Sequence, residues 1–369
     1  MLPQKVFYTV LNMGLGHASR SLPVIREFVN RGCQLLIGSN GRALDFLKQE
    51  LPQCQFVETP DYNIEYAKNG LMIPKLLSQA PKLKRKIAEE QQFCEKIVSD
   101  FRPDLIFSDH CYGMYHRRVR SYFLSHQIYF EMPKGLDLFS SMAAKFNLKY
   151  HEKYNRIIIP DFPDEYGGLL SGRLSRLPVR NRHKYFFAGP LSSMERLNVP
   201  TTIDLFVSIS GPEPQRSIFE TRVLEQIDYI PGNKVVVLGK SESTSLFKDE
   251  PGLKVYAHLP RKEMARLFNQ ASMIVSRPGY STLMELAETG KQALLVPTPG
   301  QTEQIYLAEH MTKKRWFYCV QQNDLFLPRD FENAQEYAGI FKPDVTRFSV
   351  NNIFEELLEF HSTNVPPAE

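Results

Sequence analysis

The chain has 369 residues, 43% hydrophobic and 12% aromatic. That excludes a disordered protein and is more than one core usually serves, so two domains are expected. Its net charge of +4 is weak and dispersed, and calls for no nucleic-acid partner.

The five cysteines (Cys33, Cys54, Cys94, Cys111 and Cys319) are scattered, odd in number and lack a CxxC pair. Reduced thiols in the cytoplasm fit this usage; a structural zinc site does not. The first strand begins at residue 5, which leaves no length for a signal peptide. No apolar stretch approaches the roughly 20 residues of a membrane span.

In chain order, the apolar run Val6–Leu11 reads as a strand. It leads through Asn12-Met13-Gly14-Leu15-Gly16-His17-Ala18-Ser19-Arg20 into an amphipathic helix marked by Leu22, Ile25, Phe28 and Val29. Any strand–turn–helix favours glycine, so GxGHxxR is a weak signal alone. It also lacks the third glycine of the dinucleotide fingerprint. The next strand, Gln34–Ile37, ends in Gly38-Ser39-Asn40-Gly41 rather than an acidic residue. Hydride transfer is therefore disfavoured.

Further strands are expected at Gln55–Val57, Leu105–Phe107, Ile128–Phe130 and Arg156–Ile159. The segment Ile73–Gln92 carries Lys75, Lys82, Lys84, Arg85 and Lys86 beside Leu76, Leu77 and Leu83. It reads as a solvated helix face after a Pro81 break, or as a basic amphipathic helix touching anionic lipid. The cluster His116-Arg117-Arg118-Val119-Arg120 is expected early in a helix.

Pro160 to Pro200 is rich in Pro, Gly, Ser and Arg, with one strand at Tyr185–Phe187. The domain boundary is expected there, giving domains at 1–180 and 181–345 and a last helix within 346–369 that crosses back to the first domain. The second domain repeats the strand–turn–helix start. Its strands are expected at Leu205–Ile209, Lys234–Leu238, Leu253–Tyr256, Ser272–Val275, Ala293–Val296 and Phe317–Val320. Short apolar runs alternating with helical patterns are the signature of doubly wound α/β architecture.

The most informative stretch is Ser276-Arg277-Pro278-Gly279-Tyr280-Ser281-Thr282-Leu283-Met284-Glu285, between an apolar run and a helix that stops near Gly290. A strand that delivers a Gly-containing turn onto a helix N-terminus makes an anion site, because free N–H groups and the positive helix end both point at the ligand. A carboxylate three residues into that helix could hold a ribose diol. The competing reading is a capping box formed by Thr282 and Glu285.

With both glycine turns and the Pro-rich middle, the chain resembles a GT-B glycosyltransferase of the MurG-like, family 28-related group. The stretch Ser276 to Glu285, then Gly290, Val296-Pro297 and Gly300-Gln301-Thr302-Glu303-Gln304, follows that family's donor motif in order and spacing. The N-terminal glycine loop matches less fully, since the family usually has a longer glycine run. The stretch Leu170-Ser171-Gly172-Arg173-Leu174-Ser175 with Gly189-Pro190-Leu191 looks like uncharacterised bacterial members.

The resemblance implies two facing Rossmann-like domains with a cleft between them. The second would bind a nucleotide sugar, most simply a UDP-sugar. Backbone groups from Leu259 to Arg261 would read the base. Ser210, Gly211 and Thr282, with the N–H groups around Gly279, Tyr280 and Ser281, would face the diphosphate. Arg277 and Thr302 belong to the same motif, and Gly14 and Gly16 are grouped with it. Glu285 would take the ribose hydroxyls, and Glu303 and Gln304 the sugar hydroxyls. Pro212 and Pro214 depart from the pattern by removing two N–H donors, which Arg216 would replace.

His17 is the candidate general base of an inverting transfer. The positive end of its helix disfavours imidazolium, and the acceptor hydroxyl needs a base within hydrogen-bond reach. Arg20 either anchors a phosphate or is a surface arginine. No Asp-x-Asp pair is present to carry a divalent metal, so metal-independent chemistry without a cofactor is expected, with the nucleotide sugar as substrate. A lipid-linked acceptor would give the basic segment a role in peripheral contact with the inner face of the membrane and place the product among cell-envelope glycans. The rival readings are a UDP-sugar hydrolase, a catalytically idle sugar-nucleotide sensor, and another GT-B enzyme such as an epimerase.

Overall fold

Val6, Phe7, Tyr8 and Val10 of strand β1 (Lys5–Val10) are all fully buried. A run this continuously apolar belongs to a parallel strand covered on both faces. The computed structural model describes residues 3–62, 80–132, 137–240, 246–340, 342 and 344–362. They fall into two units, one running to Ser193 and resuming at Val345, the other spanning Met194–Asp344.

In the first unit β1, β2 (Gln34–Ser39), β3 (Gln55–Glu58), β4 (Leu105–Asp109), β5 (Arg120–Leu124) and β6 (Arg156–Ile159) build a parallel sheet, with helices α1 (Gly16–Asn30), α2 (Gly41–Glu50), α3 (Ala80–Phe101) and α4 (Asp137–His151) between them. A short hairpin, β7 (Pro163–Asp164) and β8 (Gly167–Gly168), precedes the last strand, β9 (Tyr185–Phe187). The order β3-β2-β1-β4-β5-β6-β9 reverses direction between β1 and β4. At such a switch point the strand C-termini part and leave room for a ligand.

Three expectations shift. Ile128–Phe130 is not a strand: Ile128 N and Tyr129 N both donate to Leu174 O, at 2.8 and 2.9 Å. Its place in the sheet is taken by β5, whose Tyr122, Phe123 and Leu124 are fully buried. The basic cluster 116–120 lies on no helix; His116 and Val119 form an isolated bridge that turns the chain into β5. Finally, β9 pairs with β6, so the first unit extends past residue 180 to Ser193.

Helix α3 starts at Ala80 with Pro81 in its first turn, where a missing N–H costs little. Its Ile87, Cys94 and Ile97 are buried in the unit's core with Leu83 packed against them, so this apolar face is not turned outward. Lys84 and Arg85 remain exposed. The residues 73–79 of the basic segment lie outside the described residues.

The second unit contains β10 (Ile203–Ser208), helix α5 (Gln215–Leu224), β11 (Lys234–Val237), β12 (Leu246–Glu250), β13 (Leu253–Tyr256), helix α6 (Arg261–Gln270) and β14 (Ala271–Ser276). Then follow helix α7 (Tyr280–Thr289), β15 (Gln292–Leu295), helix α8 (Thr302–Lys313), β16 (Tyr318–Cys319) and helix α9 (Leu327–Ala334). The sheet order is β12-β13-β11-β10-β14-β15-β16, parallel except for the edge strand β12. Its switch point lies between β10 and β14. The core beneath it joins Val207, Val236, Val255, Val275 and Val296 to Phe219.

Helix α10 (Val345–Ser362) belongs to the first unit. Phe354, 1% exposed, meets the Phe28 ring at 4.6 Å, and the Arg31 guanidinium lies 4.5 Å from its centroid. Gly189 is where the helix comes closest to the preceding chain: a Cβ there would lie 2.3 Å from Ser349 Oγ. Phe354→Leu is expected to cost about 1–2 kcal/mol of stability, read from denaturant midpoints. Among the described residues no helix is long and apolar enough to cross a membrane.

Candidate functional site

Each switch point gathers polar side chains. In the first unit, β1 hands the chain to α1 through Gly14, whose φ of +73° suits a residue without a Cβ. Leu15 caps α1 without a side-chain hydrogen bond, and the first turn has no acidic residue. The positive end of the helix thus falls on His17 with no acid or cap from the helix itself to offset it. Parallel register sets Val10 beside Asp109, the last residue of β4. A carboxylate therefore ends its strand next to the turn that carries the imidazole.

The contact is direct: His17 Nδ1 lies 2.8 Å from Asp109 Oδ1, with His17 8% exposed and Asp109 fully buried. Arg20 Nε donates to Asp109 Oδ2 at 2.9 Å, its Nη2 to Oδ1, and Ser21 Oγ donates to Oδ2 at 2.7 Å. Burial by itself would raise the carboxyl pKa. The charges of Arg20 and then His17, together with the hydrogen bonds that both make to the carboxylate, outweigh it and hold Asp109 well below the usual range.

Asp109 is acceptor-only, so a protonated Nδ1 donates to it, and proton chemistry by His17 then runs through Nε2. Arg20 Nη2 also lies 2.9 Å from Nδ1. Arg20 is buried and reaches His126 Nδ1 at 3.0 Å. It neither anchors a phosphate nor sits on the surface: it orients the carboxylate and offsets its charge.

His110 follows Asp109 with φ of +64°, and its ring centroid lies 5.4 Å from that of His17. Burial, then the charges of His17 and Arg20, hold its pKa well below that of a free histidine.

In the second unit, α7 begins at Gly279, which has no side-chain cap, and no acid occupies the first turn. Tyr280, Ser281 and Thr282 are its first three residues, so their N–H groups lack partners within the helix. The capping-box reading fails on position. Thr282 is the third helical residue rather than the cap, and Glu285 lies a further turn along. Glu285 is half-buried; burial pushes its pKa up to about 7, and Arg261, at the start of α6, pulls the other way. Leu259, 6% exposed, lies in the turn that joins β13 to α6.

Arg277, 2% exposed, uses all five of its N–H donors. Nε donates to Ser210 O at 3.3 Å, and Nη1 to Val296 O and Pro297 O at 3.0 and 3.2 Å. Nη2 donates to Gln215 O and Gln322 Oε1 at 3.1 and 2.5 Å. The guanidinium also lies 4.2 Å from the Phe219 centroid. Every acceptor is uncharged, and burial lowers its pKa to about 9. Arg277 thus ties the loops after β10, β15 and β16 together.

Two expected contacts are pre-empted. Arg216 bonds Glu213, Glu220 and Leu238 O, so it replaces no donors lost at Pro212 and Pro214. Gln304 Oε1 accepts from Thr298 N at 2.8 Å and braces the turn before α8, which Thr302 and Glu303 open.

The family model described as glycosyltransferase family 28 C-terminal domain matches residues 223–334, and the one described as glycosyl transferase family 1 matches residues 4–122. An uncharacterised glycosyltransferase of Methanosarcina acetivorans is 24% identical over 322 residues, 81% of each chain. The UDP-N-acetylglucosamine--N-acetylmuramyl-(pentapeptide) pyrophosphoryl-undecaprenol N-acetylglucosamine transferase of Crocosphaera subtropica is 31% identical over 154 residues, 40% of this chain and 41% of that one. The solved glycotransferase of kitacinnamycin superposes with a TM-score of 0.62 at 14% identity, covering 97% and 96% of the two chains.

The chain is a glycosyltransferase of GT-B fold, and it is similar to the MurG-like, family 28-related group.

In this transferase Gly14, Gly16 and His17 cluster in the first unit. Ser210, Gly211, Leu259, Arg261, Arg277, Gly279 to Thr282, Glu285 and Thr302 to Gln304 lie around strand C-termini of the second. Asp109, His110, His126 and Thr298 belong to no sequence motif. Asp109 left one signal, a carboxylate two residues after the apolar run Leu105–Phe107. His17 and Arg20 left another, being three apart and so on one helix face.

Proposed function

We propose that this transferase moves a sugar from a UDP-linked donor to a hydroxyl acceptor with inversion at the anomeric carbon, His17 acting as general base. The observation that carries the proposal is the buried His17–Asp109 contact at the uncapped start of α1. His17 Nε2 takes the hydroxyl proton as the acceptor oxygen attacks the anomeric carbon. Asp109 holds the ring and stabilises the imidazolium that forms, and UDP departs with the bonding electron pair. The second unit binds the donor. The N–H groups at the start of α7 meet the charge growing on the diphosphate, without a metal ion.

Ser210 and Gly211 face the same diphosphate, Leu259 and Arg261 the base, and Glu303 the sugar. Arg277 holds the Ser210 turn in place. Unpaired thiols fit a reducing, cytoplasmic setting. A lipid-linked acceptor in a cell-envelope glycan follows the undecaprenol-linked acceptor named for the Crocosphaera relative. Peripheral membrane contact would then rest on the exposed cations of α3, because its apolar residues serve the core.

The test is nuclear magnetic resonance of the product formed from α-linked UDP-sugars with candidate acceptors. A β-linked product whose formation requires the acceptor is expected. Retained configuration, or free sugar released equally fast without acceptor, overturns the reading.

Glu285 offers a second check. Its carboxylate would accept both ribose hydroxyls, so Glu285→Ala is expected to weaken UDP binding about ten- to a hundredfold by calorimetry. With a pKa pushed up to about 7 by burial, the accepting, ionised form grows as pH rises. Affinity should therefore increase from about pH 6 to 8 in the wild type and stay flat in Glu285→Gln.

A further inference from the structure

The donor turn is short of hydrogen-bond donors. Pro212 and Pro214 have no N–H, and Arg216, the residue placed to replace them, is held by Glu213 and Glu220. Arg277 spends every donor on loop oxygens. One hydroxyl at this edge of the sheet has no such commitment. Thr298, in the turn between β15 and α8, is 1% exposed and its Oγ1 has no hydrogen-bond partner. Its backbone is fixed on both sides: Thr298 N donates to Gln304 Oε1 at 2.8 Å, and Thr298 O accepts from Gln301 N at 3.1 Å.

The hydroxyl abuts Gly211. A Cβ at that position would lie 3.5 Å from Thr298 Oγ1 and 3.7 Å from Arg277 Nε, and Gly211 has a φ of +116°. Glycine here keeps the niche between an uncommitted hydroxyl and a buried guanidinium free of a Cβ. Glycine commonly serves where backbone must approach a ligand closely. A buried hydroxyl without a partner destabilises the fold, and such a cost is characteristic of a group kept for a ligand.

We propose that Thr298 is a phosphate-binding residue of the donor site, its hydroxyl donating to a non-bridging oxygen of the nucleoside diphosphate drawn into the niche beside Gly211. This rests on the reading of the second unit as the nucleotide site. The bound anion supplies the acceptor that Oγ1 lacks, and the charge of Arg277 favours it there without direct contact. The hydroxyl thus takes over part of the work that Pro212 and Pro214 cannot do. It contributes to diphosphate recognition and nothing to the nucleoside.

The test is calorimetry of Thr298→Val and Thr298→Ser with UDP and with uridine, beside thermal unfolding without ligand. Thr298→Val is expected to lose about tenfold or more in UDP affinity and to keep its affinity for uridine. Its ligand-free Tm should rise by about 2–4 °C, because an unsatisfied buried hydroxyl is gone. Thr298→Ser should bind UDP nearly as the wild type does. Weaker UDP binding with a higher Tm is a pairing that a merely structural threonine would not give. Unchanged UDP affinity in Thr298→Val, or equal losses for UDP and uridine, overturns the proposal. If UDP affinity is unchanged in Thr298→Val but lost in Glu285→Ala, only the role of Thr298 falls. A wild type that binds neither UDP nor uridine removes both this proposal and the reading of the donor site.

Discussion

Replacing His17 with alanine is expected to lower turnover by about 10²–10⁴-fold while leaving UDP affinity within about twofold of the wild type. The expectation follows from where the residue stands. His17 is in the first unit, and the residues assigned to the nucleotide, apart from Gly14 and Gly16, are in the second, so removing the imidazole takes away proton transfer and little donor binding. Single-turnover rates with a saturating UDP-sugar and acceptor provide the check. Turnover within about tenfold of the wild type would remove His17 from the general-base role. A parallel loss of UDP affinity would make it a binding residue.

Asp109→Asn is expected to act on both stability and rate. The carboxylate is fully buried and satisfies His17, Arg20 and Ser21 together. An amide of the same shape leaves the Arg20 guanidinium buried without its counter-charge, a change that typically costs about 3–5 kcal/mol. It also presents an N–H₂ group where Nδ1 and Arg20 both donate. The imidazole then loses the partner that sets its tautomer, and turnover should fall by about 10³-fold or more.

The pH dependence has a definite sign. Asp109 titrates lower in the folded chain than in the unfolded one, so its contribution is full above an unfolded pKa of about 4 and fades as pH falls below it. The stability gap between wild type and Asp109→Asn should therefore be widest near neutral pH and narrow in acid. Chemical denaturation at pH 7 and at pH 3 measures it; a gap that widens in acid would contradict the assignment.

What could be read in the sequence was governed by local pattern. Apolar runs buried on both faces, such as Val6–Val10 and Met273–Val275, mark parallel strands whatever their neighbours do. Glycine turns before helices, at Gly14 and Gly279, carry their own backbone requirement. The donor motif was legible because its residues lie close together in the sequence, after β14 and after β15.

The partner of His17 was not legible, because Asp109 lies 92 positions away and reaches it only through the pairing of β1 with β4. The segment 116–124 misled for a related reason. Its charges suggested a solvated helix, while Tyr122, Phe123 and Leu124 go into the sheet between β4 and β6. The strand at Tyr185–Phe187 could not be assigned to a unit from its composition, since only pairing with β6 decides it. Nor could sequence separate contact from support: Arg277 lies in the motif, yet its five donors all end on the protein's own loops.

Calorimetric titration of the wild type and Glu285→Ala with UDP, GDP, ADP and CMP, in EDTA, tests the central claim most directly. The account predicts selective binding of UDP that is largely lost in Glu285→Ala. Binding of none of the four would contradict it, leaving the turn at Ser276 to Glu285 without a nucleotide to hold.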